Sequence, residues 1–330
     1  MTSICIIGVW FGPFPNWMDL WVKSVEYNPT IHFLVATDQV WDKDTPDNLE
    51  FLPTTLSELK RKTEEKIGMR IRMESAYKLC DYKPLYGLIF ENEIRDYDYW
   101  GECDFDLVFG DIRGFIDRYD ILQYDKFLNR GHLTIYRNDR SVIDRYRLKG
   151  GAFGTFREIF RSDMVWGLDE MYGINRIYKK HKFPCFNQCV FADIDRKYAD
   201  MRLCSTYFRP DEKYNHPYQM FCWKEGRVYQ EYFDENSVLQ TKEFMYIHFA
   251  KRRYDRPEKD VIEAKQYCIT PYGFIKYPQK MTISFIQDHN DTTIKDVSVR
   301  KDQTSTLDKK LKFFWIGRRY LNFKYWLKKK

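Results

Sequence analysis

The sequence predicts an α/β fold, and three observations carry that prediction. Short apolar runs alternate with helical patterning from the first residues, an acidic and aromatic run near residue 100 closes a strand, and no clean linker interrupts the chain up to about residue 285. The first run, Ser3 to Val9, ends near Gly8. Gly12-Pro13-Phe14-Pro15 then breaks the chain before Trp17 to Val25 resumes with helical periodicity. Ile31 to Ala36, closed by Thr37-Asp38, completes a βαβ opening whose loops gather at the carboxyl edge of a parallel sheet. Leu49 to Leu52 fits a further strand, and Ser57 is expected to cap an amphipathic helix whose charged run, Lys60 to Lys66, is a solvated face. Helical patterning is expected again over Ile71 to Leu79 and Leu85 to Phe90, and alternating helices and strands up to about Phe249.

Composition bounds the function. Hydrophobic residues are 44% and charged residues 31%, which excludes a disordered chain and a polytopic membrane protein. Aromatics reach 18%, suited to stacking on nucleotides or sugars, though core filling explains most of them. No run of about 18 apolar residues predicts a transmembrane helix, and residues 1–14 lack the basic start and cleavage pattern of a secretory signal. Eight scattered cysteines without paired spacing suit reduced thiols and a cytoplasmic setting, and argue against zinc.

The chemistry is expected around Asp104-Phe105-Asp106. Alternate residues of an extended segment share a face, so both carboxylates point the same way and repel each other unless a divalent cation sits between them. Hard oxygen ligands suit Mg2+ or Mn2+, ions that commonly bridge to nucleotide phosphates. A solvated turn is the plainer alternative. Late in the chain, Phe244 to Phe249 reads as a strand carrying His248, followed by Lys251-Arg252-Arg253. A neutral imidazole suits Mn2+ as a third ligand beside Asp104 and Asp106, and the cations after it suit a diphosphate. A core histidine explains His248 equally.

These residues resemble a family. The βαβ start, the DxD closing a strand and the late strand with His then basic residues look like a nucleotide-sugar-dependent glycosyltransferase of the GT-A fold, most similar to bacterial capsule and surface-polysaccharide transferases and more distantly to glycogenin-like and mannosyltransferase families. The resemblance spans residues 3 to 255, with its specificity in the DxD region. It implies a Rossmann-like mixed sheet flanked by helices, Mn2+ or Mg2+, and a nucleotide-sugar donor such as a UDP-sugar. A glycan or lipid-linked oligosaccharide would be the acceptor. Distant relatives carry a late His-x-x-Gly-x-x-Lys motif; Ile247 to Lys251 keeps the His and a Lys without the glycine, implying diphosphate contacts for Lys251 or Arg252. Cys80-Asp81-Tyr82-Lys83-Pro84 resembles a Ser-Asp-x-x-Arg nucleotide-binding helix, which implies such contacts for Asp81 and Lys83. By fold logic the loop from Val9 through Phe11 to Phe14 would lie under base and ribose, and Asp38 would bind ribose or base, a turn residue being the alternative there.

On the acceptor side, Lys149 to Thr155 is a glycine-rich loop without the ending of a P-loop. Trp166 to Glu170 joins an aromatic platform to Asp169 and Glu170. Either carboxylate could deprotonate an acceptor hydroxyl or bind the acceptor, and a helix N-terminus explains them as well.

The chain is expected to divide into a catalytic domain over residues 1–285, a polar connector over 286–308 and a tail over 309–330. The tail holds nine cations, seven aromatics and no acidic residue, as befits a basic amphipathic helix on an anionic membrane. That places the protein peripherally on the inner face of the cell membrane, without nucleic acid as a partner. Two other classes compete. One is a haloacid-dehalogenase-type phosphatase, for which Val108 stands at the expected offset but the motif falls too late in the chain. The other is a non-enzymatic glycan-binding or scaffold module.

Overall fold

A computed structural model describes residues 1–209, 212–250 and 252–290. The opening follows the apolar patterning. Strand β1 (Ile4–Trp10) is followed by helix α1 (Met18–Glu26), β2 (His32–Thr37), β3 (Leu49–Pro53) and helix α2 (Leu56–Ile67). The alternation of β1 fixes its place at the centre of a sheet covered on both faces. Ile4 and Ile6 face one core with Trp21 and Val25 of α1, whereas Cys5 and Ile7 face the other with Leu79, Tyr82 and Tyr86. The cap of α2 differs from expectation. Thr55, two residues before Ser57, accepts from the Glu58 backbone, and the Glu58 carboxylate returns to the Thr55 N–H.

Next come β4 (Tyr99–Cys103), β5 (Leu107–Phe109), β6 (Lys126–Arg130), β7 (Leu133–Arg137), β8 (Cys185–Phe186) and β9 (Ala192–Asp193). Beyond them lie β10 (Gln219–Lys224), β11 (Arg227–Phe233), β12 (Leu239–Phe244), β13 (Tyr246–His248), β14 (Gln266–Thr270) and β15 (Gly273–Lys276). The main sheet is mixed and flanked by helices, with seven strands in the order β3-β2-β1-β4-β7-β6-β8. Strands β3, β2, β1 and β4 run parallel, and β7 returns antiparallel against β4. Two smaller sheets follow, β12-β11-β10-β14-β15 and β5-β13-β9.

The chain passes from the main sheet to the smallest one through Asp104-Phe105-Asp106, which form a bend between β4 and β5 rather than continuous strand. Phe105 anchors the bend, 3% exposed and stacked on Trp21 at 5.0 Å. Its ring lies so close to Gly8 that a Cβ there would come within 2.7 Å of it. Burying one ring thus leaves the two flanking carboxylates at the carboxyl edge of the parallel strands.

Between Ile71 and Leu79 the expected helix is absent; only the 3-10 segment Ala76–Asp81 forms, with the short helix Tyr86–Ile89 beyond it. A last helix, Ile283–Asn290, takes in the first residues of the stretch expected as a connector. It packs through fully buried Ile286, and Asn290 donates to the Gln219 carbonyl and accepts from the Met201 N–H, each at 2.8 Å. The remainder of that stretch and the tail lie outside the described residues. Among the described residues no helix is long and apolar enough to cross a membrane, and all eight cysteines are free.

Candidate metal centre

The bend after β4 meets β13 because β13 pairs antiparallel with β5, placing His248 opposite Leu107. Asp104, Asp106 and His248 each bring one ligand atom into a set lying within 4.8 Å of one another. His248 Nε2 stands 3.4 Å from an Asp106 oxygen, and His248 Nδ1 lies 2.6 Å from Asp193 of β9. His132 stacks on the His248 ring at 4.3 Å. Burial opposes the imidazolium, yet Asp106 and Asp193 hold His248 well above the ordinary histidine range. A proton there does the neutralising that a divalent cation would do between Asp104, Asp106 and a neutral His248. Two hard oxygens and an imidazole at this spacing fit Mn2+ or Mg2+.

Behind the bend lies a buried charge cluster. Lys83 Nζ donates to Asp104 at 2.5 Å and to the Gly131 carbonyl, and lies 3.4 Å from Glu102 and 3.6 Å from Asp169. Burial disfavours its charge, but the three carboxylates hold Lys83 well above the usual lysine range. One cation does not balance three anions, so protons make up the difference. Burial pushes Glu102 up to about 8 and Asp169 well above the ordinary carboxylate range, against the pull of Lys83.

Of the residues singled out from sequence, the structure brings together Lys83, Asp104, Asp106 and His248, and it gives others partners within the protein. Asp81 is wholly buried; it takes the Lys78 ammonium at 2.7 Å and the backbone N–H groups of Trp166 and Leu168 at 3.0 Å. It therefore shapes the 166–168 turn. Asp169, 3% exposed beside Lys83, faces the interior and is unsuited to meeting an acceptor, whereas Glu170 in the same turn is exposed. Arg252 directs its guanidinium at the carbonyls of Tyr198, Ala199 and Asp200; Lys251 lies outside the described residues. The glycine-rich loop ends in a capping box, Thr155 with Glu158, and its Gly150 and Gly151 line a shallow groove of about 460 Å³ with Arg176, Lys179 and Lys180. At the first loop, half-buried Val9 and Phe11 pack on the core, and exposed Asp38 accepts from the Gly12 N–H at 2.9 Å.

Sequence reasoning missed Glu102, His132 and Asp193. Glu102 was accessible, since Glu102, Asp104 and Asp106 share one parity in the run ECDFD. His132 and Asp193 carry no local signal; only the pairing of distant strands brings them to His248.

No curated protein matches the chain. Among solved structures it is similar to the galactosyltransferase LgtC in complex with donor and acceptor sugar analogues, 13% identical over 58% of this chain and 76% of that one, with a TM-score of 0.35. An active-site mutant of LgtC is 13% identical over 86% and 94%, with a TM-score of 0.38. Mouse xyloside xylosyltransferase 1 in its apo form is 8% identical over 59% and 89%, with a TM-score of 0.37. A family model described as a family of unknown function (DUF6625) matches residues 6–278. The chain belongs to that family.

Proposed function

We propose that the protein is a divalent-cation-dependent glycosyltransferase that moves a sugar from a nucleotide diphosphate donor, such as a UDP-sugar, to a hydroxyl of a surface glycan or lipid-linked oligosaccharide. The observation that carries this reading is the bend after β4, which sets Asp104 and Asp106 against His248 at the carboxyl edge of the parallel strands. Asp104, Asp106 and His248 would hold Mn2+ or Mg2+, which supplies counter-charge for the leaving diphosphate. Lys83 sits directly behind Asp104 and adds a fixed positive charge on the same side. The loop from Val9 to Phe14, tied by its Gly12 N–H to Asp38, borders the same edge and offers a floor for base and ribose. Glu170, exposed in the turn that Asp81 holds, is the carboxylate available to take the acceptor proton.

Calorimetry with UDP and GDP, each with and without Mn2+, tests this reading. Binding that requires Mn2+ and is abolished by Asp106→Asn is the expected result. Equal affinity with and without Mn2+ would discard the metal centre, and failure of both nucleotides to bind would discard the transferase.

A further inference from the structure

We propose that Asp193, braced by Tyr207, is a positioning residue that fixes the His248 imidazole in the tautomer presenting Nε2 to Asp104 and Asp106, a role that rests on the metal centre proposed above. Strand register makes the pair. Strands β13 and β9 are parallel, and His248 pairs with Asp193 across them, so the two side chains leave neighbouring backbone positions on one face. The ladder is locked beyond the pair by the Ile194 N–H, which donates to the His248 carbonyl at 2.9 Å.

His248 Nδ1 and Asp193 Oδ1 are 2.6 Å apart. An ionised carboxylate only accepts, so Nδ1 carries the hydrogen. Asp193 meets a partner at each oxygen, Oδ1 at His248 Nδ1 and Oδ2 at the Tyr207 hydroxyl, the pattern of a carboxylate that accepts at both. With Nδ1 committed as a donor, the lone pair of a neutral His248 resides on Nε2, the atom already 3.4 Å from Asp106. The other oxygen of Asp193 accepts from the Tyr207 hydroxyl. Tyr207 is itself held, with its ring edge-on to Phe191 at 5.5 Å and the Arg130 guanidinium 4.0 Å over its face. A hydrogen-bonded carboxylate behind a ligating histidine sets ring orientation and raises ligand basicity.

A second set of side chains, His132, Asp193 and His248, also lies within 4.8 Å. Its role here is to orient the ligand ring. Both Asp193 oxygens are engaged by donors, His132 Nδ1 is engaged by the Tyr246 hydroxyl at 2.8 Å, and His132 packs flat against the ligand ring.

Electron paramagnetic resonance titration of Mn2+ against the full chain tests the assignment. Asp193→Ala should weaken Mn2+ about 10- to 100-fold, and Tyr207→Phe several-fold. Asp193→Asn keeps an oxygen that accepts from Nδ1–H and should restore most of the affinity, which a lost metal ligand would not. His132→Leu should stay within about threefold of the wild type, since it removes a stacking neighbour and the partner of the Tyr246 hydroxyl but no atom that holds the ion or its ligand tautomer. In the Mg2+-loaded wild type, 15N–1H correlation of labelled histidine should show His248 protonated at Nδ1 alone, and Asp193→Ala should mix the tautomers. Wild-type affinity in Asp193→Ala, or an unchanged tautomer, overturns the proposal. So does loss of Mn2+ in His132→Leu as severe as in Asp106→Asn, because the ion would then sit in the second set. If Asp193→Ala does not fold, unchanged affinity in Tyr207→Phe with Asp193→Asn as weak as Asp106→Asn overturns it equally. A wild type that fails to bind Mn2+ at all removes the metal centre itself.

Discussion

Asp81 shows how much of the interior a single carboxylate can hold together. It neutralises Lys78, which is 2% exposed and, among the described residues, otherwise donates to the carbonyls of Ile159 and Met164. Asp81→Ala strands that charge and two backbone N–H groups, so urea unfolding should show a loss of about 3–5 kcal/mol. A loss below about 1 kcal/mol together with lost nucleotide affinity would return Asp81 to direct contact. His216 offers a pH test far from the metal centre. Burial, with Lys213 and Lys242 adding to it, brings its pKa down to about 4 while its ring stacks on Tyr232 at 3.5 Å. The unfolded chain takes up this proton near pH 6.5 and the folded one near 4, so folded stability falls as pH drops through that window. His216→Phe keeps the stacking and should flatten the decline between about pH 6.5 and 4; an unaltered slope assigns it to other groups. At this scale the sequence was readable where chemistry clustered locally, as at Asp104 and Asp106. It was silent where a partner came from a distant segment, as Asp193 does for His248, the Trp166 and Leu168 N–H groups for Asp81, and the carbonyls of Tyr198, Ala199 and Asp200 for Arg252.

At the scale of elements, apolar period placed the βαβ opening well because both faces of β1 are buried and each residue of the run reports its own environment. Boundaries were set by hydrogen bonds that periodicity does not see. Helix α2 begins at Thr55 because its hydroxyl and the Glu58 carboxylate close a reciprocal box, leaving Ser57 inside the first turn. Thr55→Ala should cost about 1 kcal/mol in thermal or denaturant unfolding, whereas Ser57→Ala should be near neutral. Equal costs would mean that the cap does not decide where the helix starts. The segment from Ile71 to Leu79 failed as a helix for a related reason. Its backbone turns outward for partners: the Ile71 N–H donates to the Glu64 side chain and the Arg72 N–H to the Phe160 carbonyl. Tertiary bonds won over a pattern that was only locally helical.

The whole molecule is organised around a seam. The main sheet supplies the DxD bend, the smallest sheet supplies His248 and Asp193, and the last helix buttresses the five-stranded sheet through Gln219 and the loop before it through Met201. That helix decides where a tail can be removed. Asn290 is 1% exposed and bonds both the Met201 and the Gln219 backbone, while residues 309–330 carry the nine cations and seven aromatics expected to meet an anionic bilayer. A chain cut after Asn290 should therefore unfold at nearly the wild-type temperature and keep its Mn2+-dependent nucleotide binding. A chain cut after Thr282 should lose several degrees, because it removes the Ile286 anchor and strands the Met201 N–H and the Gln219 carbonyl. The first truncation should also abolish sedimentation with anionic vesicles. In the full chain that sedimentation should fall only partly as salt rises, since screening weakens the cations but not aromatic insertion. Equal sedimentation of the two proteins would refute membrane attachment through the tail. Loss of folding in the chain cut after Asn290 would make residues beyond it part of the packed body.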